Sequence, residues 1–558
     1  MSVQFAKSAP LTPLLAAIVF IALLNLLDTS ANAAEISLAS RQQSTALHTT
    51  SAVTIVVTTF EDEMTVNGAC SLREAIQSVN TGNAVDSCAA PGPTHTVVAL
   101  AAGRYDLTHA GANEDANQTG DLDLLATMDV VGRSRQNTYI GGAGLDRILH
   151  VHGGAVVTVR AVTLDDGRAP DGRVISQTAE PGEPGGAILN NGNLTLLDST
   201  VVASHAGNGA SSPSNFFSSD RGGDGGAGGA ISNDGFLRVE RSTLSSNTAG
   251  SGGEGPCGGG GSGGAGGGIY NSGTLILTES TIEGNQSGHS GYGLCPPGAF
   301  GGTGGAGGGI ANAGTALIEF SSILANATAT GINVFGTHTQ GGHSGPGGGI
   351  ANTGSLHLDN STISGNRTGN GGSGAQAGNG GDGGGIYNAG SGTLAIDATT
   401  LAQNSAGTAG AELWEMGDGA DGQGGGTANT ATVQVRNTVM AGNVARQAPD
   451  CAGTLDSFDY NLIEVVDGCT LTGVLTHVLT NTAPLLGALA DNGGPTLTHD
   501  PLSASPLRDS GACTTLLGYT MGRDQRGQPR PMATTCDRGA VEWGSHVYHW
   551  LPIIKFAE

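Results

Sequence analysis

The stretch GGGIYNSGTLILTESTIEGN, residues 266–285, decides how the chain folds. Ile269 and Asn271 belong to a short segment that runs into the Ser272-Gly273 turn. Leu275-Ile276-Leu277 follows as a strand, and alternation places Leu275 and Leu277 on one of its faces. A third short segment around Ile282 closes at Asn285. Strands this short cannot bury their apolar sides alone, so the unit must stack on others like it.

Such units lie on both sides. Seven copies align, anchored at Ile188, Ile231, Ile269, Ile310, Ile350, Ile386 and Thr427, with steps of 36 to 43 residues. The expected fold is therefore all-β: a parallel β-helix, right-handed because parallel crossovers are nearly always so. The closing residues Asn247, Asn285, Asn326, Asn366, Asn404 and Asn443, with Ser204 in the first copy, would form a ladder of stacked amides. A second ladder would run through Asn190, Asn233, Asn271, Asn312, Asn352, Asn388 and Asn429. Both read as structural.

Between the copies lie Gly-rich segments such as 250–268, 288–309 and 369–385. They are long excursions from one corner of the coil or thin extra coils, and they read as flexible, acidic, solvated loops. Calcium is the one cofactor left open, at Asp224, Asp382, Asp418 and Asp421, although the spaced Asp of a calcium-binding β-roll is absent. Loops on one side of a rigid solenoid are where binding usually resides.

Composition limits the function. The 97 glycines and 4% aromatic content exclude an ordinary two-layer domain. A net charge of −25, with Lys7 and Lys555 the only lysines, argues against nucleic acid and against enzymes that must neutralise uronate polymers. Lys7, the apolar run from Leu11 to Leu27 and the triplet Ala31-Asn32-Ala33 read as a signal peptide over 1–33. The mature chain is then extracellular or at the cell surface, with no later membrane span, and is expected to be monomeric.

Eight cysteines behind an export signal suggest disulfides. Sequence allows 105 pairings. Sequential neighbours are preferred, Cys70 with Cys88, Cys257 with Cys295, Cys451 with Cys469 and Cys513 with Cys536, because each closes a loop within one coil or between adjacent ones. They form no C-x-x-C pair, so they are not read as metal ligands.

Three segments carry resemblance to known families. The GGAI/GGGI and I-x-x-N repeats over about 185–445 resemble those of the polymorphic outer-membrane proteins, with Leu, Ile or Met where Phe is usual and without a recognisable C-terminal barrel. That resemblance implies a β-helical passenger used in adhesion. Asn67-Gly68-Ala69-Cys70-Ser71-Leu72-Arg73-Glu74-Ala75-Ile76 is similar to the CSLREA domain of exported bacterial β-helix proteins, a pectin-lyase-like solenoid being implied. Ser71 and Glu74 make a capping box there, and Leu72, Ala75, Ile76 and Val79 form one helical face, so a short N-terminal helix lids the coils. Asp491-Asn492-Gly493-Gly494-Pro495-Thr496, Asp524-Gln525-Arg526-Gly527 and Gly539-Ala540-Val541-Glu542 are similar to the choice-of-anchor Q proteins.

The organisation expected is signal peptide 1–33, cap 34–93, irregular coils 94–184, Gly-rich repeats 185–446, a C-terminal region 447–545 and an apolar aromatic tail 546–558. His499, Asp509, Asp524 and Glu542 are the residues to weigh as an acid/base or metal cluster, but their Gly, Pro and Arg neighbours favour turns and ion pairs. No catalytic, cofactor-binding or metal residue is assigned. The reading is a non-catalytic, surface-displayed or secreted protein that binds a glycan or protein through its Gly-rich segments. The alternatives are a carbohydrate-active β-helix enzyme and a structural envelope component.

Overall fold

The computed structural model describes residues 52–544 apart from 94, 113, 214–220, 256–258, 294–299, 337 and 415. The signal segment 1–33, the start of the cap to 51, Cys257, Cys295 and the tail 546–558 lie outside the described residues.

Each repeat supplies three strands, for example Ile269–Asn271, Thr274–Thr278 and Thr281–Glu283. Every strand pairs in parallel with its equivalent in the coils before and after, in strict register. Ile231, Ile269 and Ile310 are partners in one row, Leu237, Leu275 and Ala316 in a second, and Leu244, Ile282 and Ile323 in a third. The chain is a parallel β-helix whose three faces enclose one continuous aliphatic core. Ile269, Leu275, Leu277 and Ile282 are all completely buried in it. The solenoid begins earlier than the sequence suggested: Val53–Val56, placed in the cap, already pairs with Thr96–Ala99 as a strand of the stack.

Helix α1 (Leu72–Thr81) packs on these first coils. The Ser71 hydroxyl accepts the Glu74 amide at 3.1 Å, and the Glu74 carboxylate accepts the Ser71 amide at 3.0 Å, which caps the helix start. Arg73 is wholly buried, paired with Asp62 at 2.7 Å and donating to the Gly120 and Asp121 carbonyls. Both residues are therefore consumed by the cap.

Polar ladders run along the corners. The amides of Asn247, Asn285, Asn326, Asn366 and Asn404 each donate from Nδ2 to Oδ1 of the next asparagine at 2.9–3.0 Å, and Asn443 hands the row to Asp450. The second row runs from Asn190 to Asn388 at 2.6–2.7 Å. It stops there: Asn429, expected to continue it, turns to Thr427 instead. Its coil has Ala431 where the other six have the glycine of an Asn-x-Gly turn, and the next coil, in which Ala452 pairs with Ala428, brings Gly453 and no asparagine to this place. A third row was not foreseen. The backbone amides of Ser199, Ser242, Ser280 and Ser321 each donate to the hydroxyl of the equivalent serine one coil on.

The C-terminal region has two parts. Strands Cys451–Phe458 and Cys469–Val474 add the last coils, joined by the disulfide Cys451–Cys469. Residues beyond about 481 do not stack. They fold back along the outside as a strap held by the disulfide Cys513–Cys536, while Cys70–Cys88 fastens α1. Gln525 plugs into the β-helix, donating to Ser322 at 2.9 Å and accepting from Thr362 at 2.7 Å. Arg523 pairs with Glu279, Arg530 donates to Asn360, and Arg538 donates to the Asn461 carbonyl, so the strap crosses several coils.

The Asn ladder gives a direct test. Asn326→Ala removes the acceptor of Asn285 and leaves the Ile282 carbonyl without its amide donor. Chemical denaturation should show a loss of about 1–3 kcal/mol for each buried group left unpaired.

Candidate functional site

The Gly-rich segments are not loose loops. Each consists of an outgoing and a returning arm, such as 248–255 and 259–268, and the amides follow a three-residue pattern. Ala249, Gly252 and Gly255 donate at 2.8–3.0 Å to Gln286, His289 and Tyr292 of the next coil. Gly250 and Gly253 donate across to Gly226 and Gly223 of the facing arm, and Gly264 and Gly261 of the returning arm donate back to Gly250 and Gly253. The remaining positions, Ser251 and Glu254, face outward, their amides held by the Asn208 and Ser211 side chains. A period of three is that of extended polyproline II chains, which form no internal hydrogen bonds and leave every amide free for neighbours.

The result is a two-walled fin projecting from one corner of the β-helix. At Gly250 and Gly288 the walls touch through backbone: a β-carbon on Gly250 would overlap the Gly207 carbonyl oxygen, and one on Gly288 the Gly250 carbonyl oxygen. Gly250 and Gly288 do not have positive φ, so close approach and not turn geometry fixes the residue type. The expectation of flexible, solvated loops is corrected here. Glycine runs lack side-chain periodicity, so the order lies in backbone bonds that composition does not display.

Only every third residue of an arm carries its side chain into solvent, as Arg367, Asn370 and Ser373 do on one wall and Gln376, Asn379 and Asp382 on the other. On the outgoing wall, equivalent positions in successive coils are Asn208, Ser251, His289, Thr330, Asn370 and Thr408. Neighbours in such a row stand about 4.8 Å apart. Successive rows, three residues along an arm, are about 9 Å apart. The fin thus presents a flat grid of small polar groups. Towards its far ends Phe300, Phe335 and Trp414 are 51%, 77% and 57% exposed, beside exposed Leu413 and Met416. Such exposure of large apolar residues marks interaction surfaces.

No known protein family and no curated protein matches the chain. Among solved structures, the A-module of the Azotobacter vinelandii mannuronan C-5 epimerase AlgE4 is similar over 76% of this chain and 97% of its own, at 12% identity and a TM-score of 0.20. The β-helix assignment rests on the strand register above.

Among the described residues, Asp224, Asp382, Asp418 and Asp421 do not gather into one site. Asp224 pairs with Arg221 at 3.0 Å and Asp421 with Arg446 at 3.2 Å, while Asp382 accepts the Gln423 amide at 2.8 Å. Asp418 is exposed. His499, Asp509, Asp524 and Glu542 all lie in the strap, each occupied there. His499 meets Ser364 at 2.9 Å, Asp524 pairs with Arg526 at 2.9 Å, Glu542 with Arg530 at 2.9 Å, and Asp509 accepts the Thr534 amide at 3.1 Å. Among the described residues no helix is long and apolar enough to cross a membrane.

One titratable cluster underlies the strap. His357 Nε2 lies 3.2 Å from Asp397, whose Oδ1 accepts the Leu516 amide of the strap at 2.8 Å. Burial pushes the Asp359 carboxyl up to about 7, with the charges of Asp397 and Glu319 adding to it and His357 and Arg530 opposing. The cluster is a docking anchor covered by the strap.

Two tests follow. Gly288→Ala should disorder the fin, whereas Gly284→Ala, whose β-carbon meets nothing at a φ of +60°, should cost about 1–2 kcal/mol; proteolysis within residues 288–309 separates the two. The Asp359 carboxyl takes up its proton more readily folded than unfolded, so its destabilising charge sets in as pH rises from about 4 to about 7. Asp359→Asn should therefore stabilise the protein above pH 7 and leave it unchanged near pH 4, read as Tm against pH.

Proposed function

We propose that this chain is an exported, non-catalytic binding protein that presents the fin to a repetitive polar ligand, a surface glycan in the first instance. The observation that carries the reading is the fin's outer wall, a rigid grid of Asn, Ser, Thr and His side chains ending near exposed aromatics. A glycan offers hydroxyls at regular intervals to such a grid and apolar ring faces to Phe or Trp. A wall whose backbone amides are already bonded is also ordered before the ligand arrives, which lowers the entropic cost of binding. Disulfides suit an oxidising compartment, and the resemblance of the repeats to adhesive passenger domains points the same way.

A glycan array probed with the purified chain, with released reducing ends assayed alongside, tests this. Binding without product release is expected. Phe335→Ser and Trp414→Ser should each weaken it at least tenfold, the scale of an aromatic hot spot, without changing Tm. Turnover by the wild-type chain would replace this reading with that of a carbohydrate-active enzyme.

A further inference from the structure

The first coils hold a second group of functional side chains, independent of the fin. Leu122–Leu124 and Leu149–Val151 are parallel neighbours in which Asp123 and His150 are direct partners. Leu122, Leu124, Leu149 and Val151 fill the core, so Asp123 and His150 lie together on the outer face, and alternation brings His152 to the same side. Asp115, in the loop preceding Leu122, reaches over them. Asp123 Oδ1 is 2.8 Å from His152 Nε2 and 3.5 Å from His150 Nδ1, and Asp115 Oδ1 is 3.7 Å from His150 Nδ1. One ligand atom from each of the four lies within 4.8 Å of all the others.

We propose that Asp115, Asp123, His150 and His152 form a binding site for a zinc-class divalent ion, which clamps the loop containing Asp115 to the strands Leu122–Leu124 and Leu149–Val151. Four N and O ligands at about 2.0–2.2 Å from a tetrahedral ion stand about 3.4 Å from one another, and the separations here bracket that value. The two imidazoles lie side by side, tilted by 36° with centroids 3.7 Å apart, and each presents a ring nitrogen to Asp123. His150 is only 12% exposed and presents Nδ1, the ring atom nearest both carboxylates, to Asp123 and Asp115. Asp123 is held by the Asn117 amide on Oδ2 at 2.8 Å, which leaves Oδ1 directed at the histidines. Two carboxylates balance the dication, and nearby Asp121 and Asp146 face one guanidinium, Arg147. Two imidazoles select a transition metal over calcium, whose ligands are oxygens.

The test uses the purified full chain after dialysis against a chelator. Titration with zinc chloride should give one equivalent bound, and cobalt chloride should produce the visible absorption of a four-coordinate ion; calcium chloride should produce neither competition nor heat at this site. His150→Asn/His152→Asn should lose the zinc equivalent and the cobalt spectrum while keeping the wild-type circular dichroism. Because that pair could disturb folding, Asp115→Asn, which alters a side chain that is 75% exposed, provides a second arm and should weaken zinc about tenfold. Absence of uptake by the wild-type chain, or equal uptake and spectrum in the double variant, would overturn the proposal. Neither result bears on the glycan reading of the fin.

Discussion

Each coil lies one inter-strand hydrogen-bond spacing, about 4.8 Å, above the last, and that spacing governs the rest of the molecule. Whatever residue occupies a place in one coil meets its equivalent in the next. Apolar rows such as Leu237, Leu275 and Ala316 become a continuous core. Polar rows become ladders, because an asparagine amide can donate and accept at the same time, so that Asn285 and Asn326 satisfy each other where an isolated buried amide would be costly.

The same spacing explains the glycine content. In the fin, arms stack at backbone distance along the axis and also face each other across it, so two of every three residues face inward and are mostly glycine or small residues such as Ala249, Ser287 and Thr328. The third faces out and alone carries chemistry. A wall built this way needs few large residues, which agrees with an aromatic content of 4%. The strap works differently. It crosses coils instead of stacking, and it relies on side chains that bond several coils, Gln525 to Ser322 and Thr362, Arg530 to Asn360 and Arg538 to the Asn461 carbonyl.

Much of this was written in residue order. The recurring Ile and Asn of GGGIYNSGTLILTESTIEGN specify strand, turn and stack because their period survives in one dimension. Ser71 and Glu74 announce a helix start for the same local reason. The serine row was equally visible, since Ser242, Ser280, Ser321 and Ser361 hold one place in the repeats, but a lone Ser reads as surface until its neighbour one coil away is known. The signal in Leu149-His150-Val151-His152 was also there, a His-x-His pair on a strand. Its partner Asp123 stands 27 residues earlier and Asp115 earlier still, and nothing local links them.

The sequence by itself thus determined the coil, its aliphatic core, its asparagine corners and its capping helix, all of which depend on periodicity and short-range bonding. Only the tertiary structure decided that the glycine segments are walls, that residues after 481 run back over the coils, and that two aspartates and two histidines from separate coils meet. Those features depend on backbone-to-backbone contact and on register between distant segments, and neither leaves a pattern in the order of side chains along the chain.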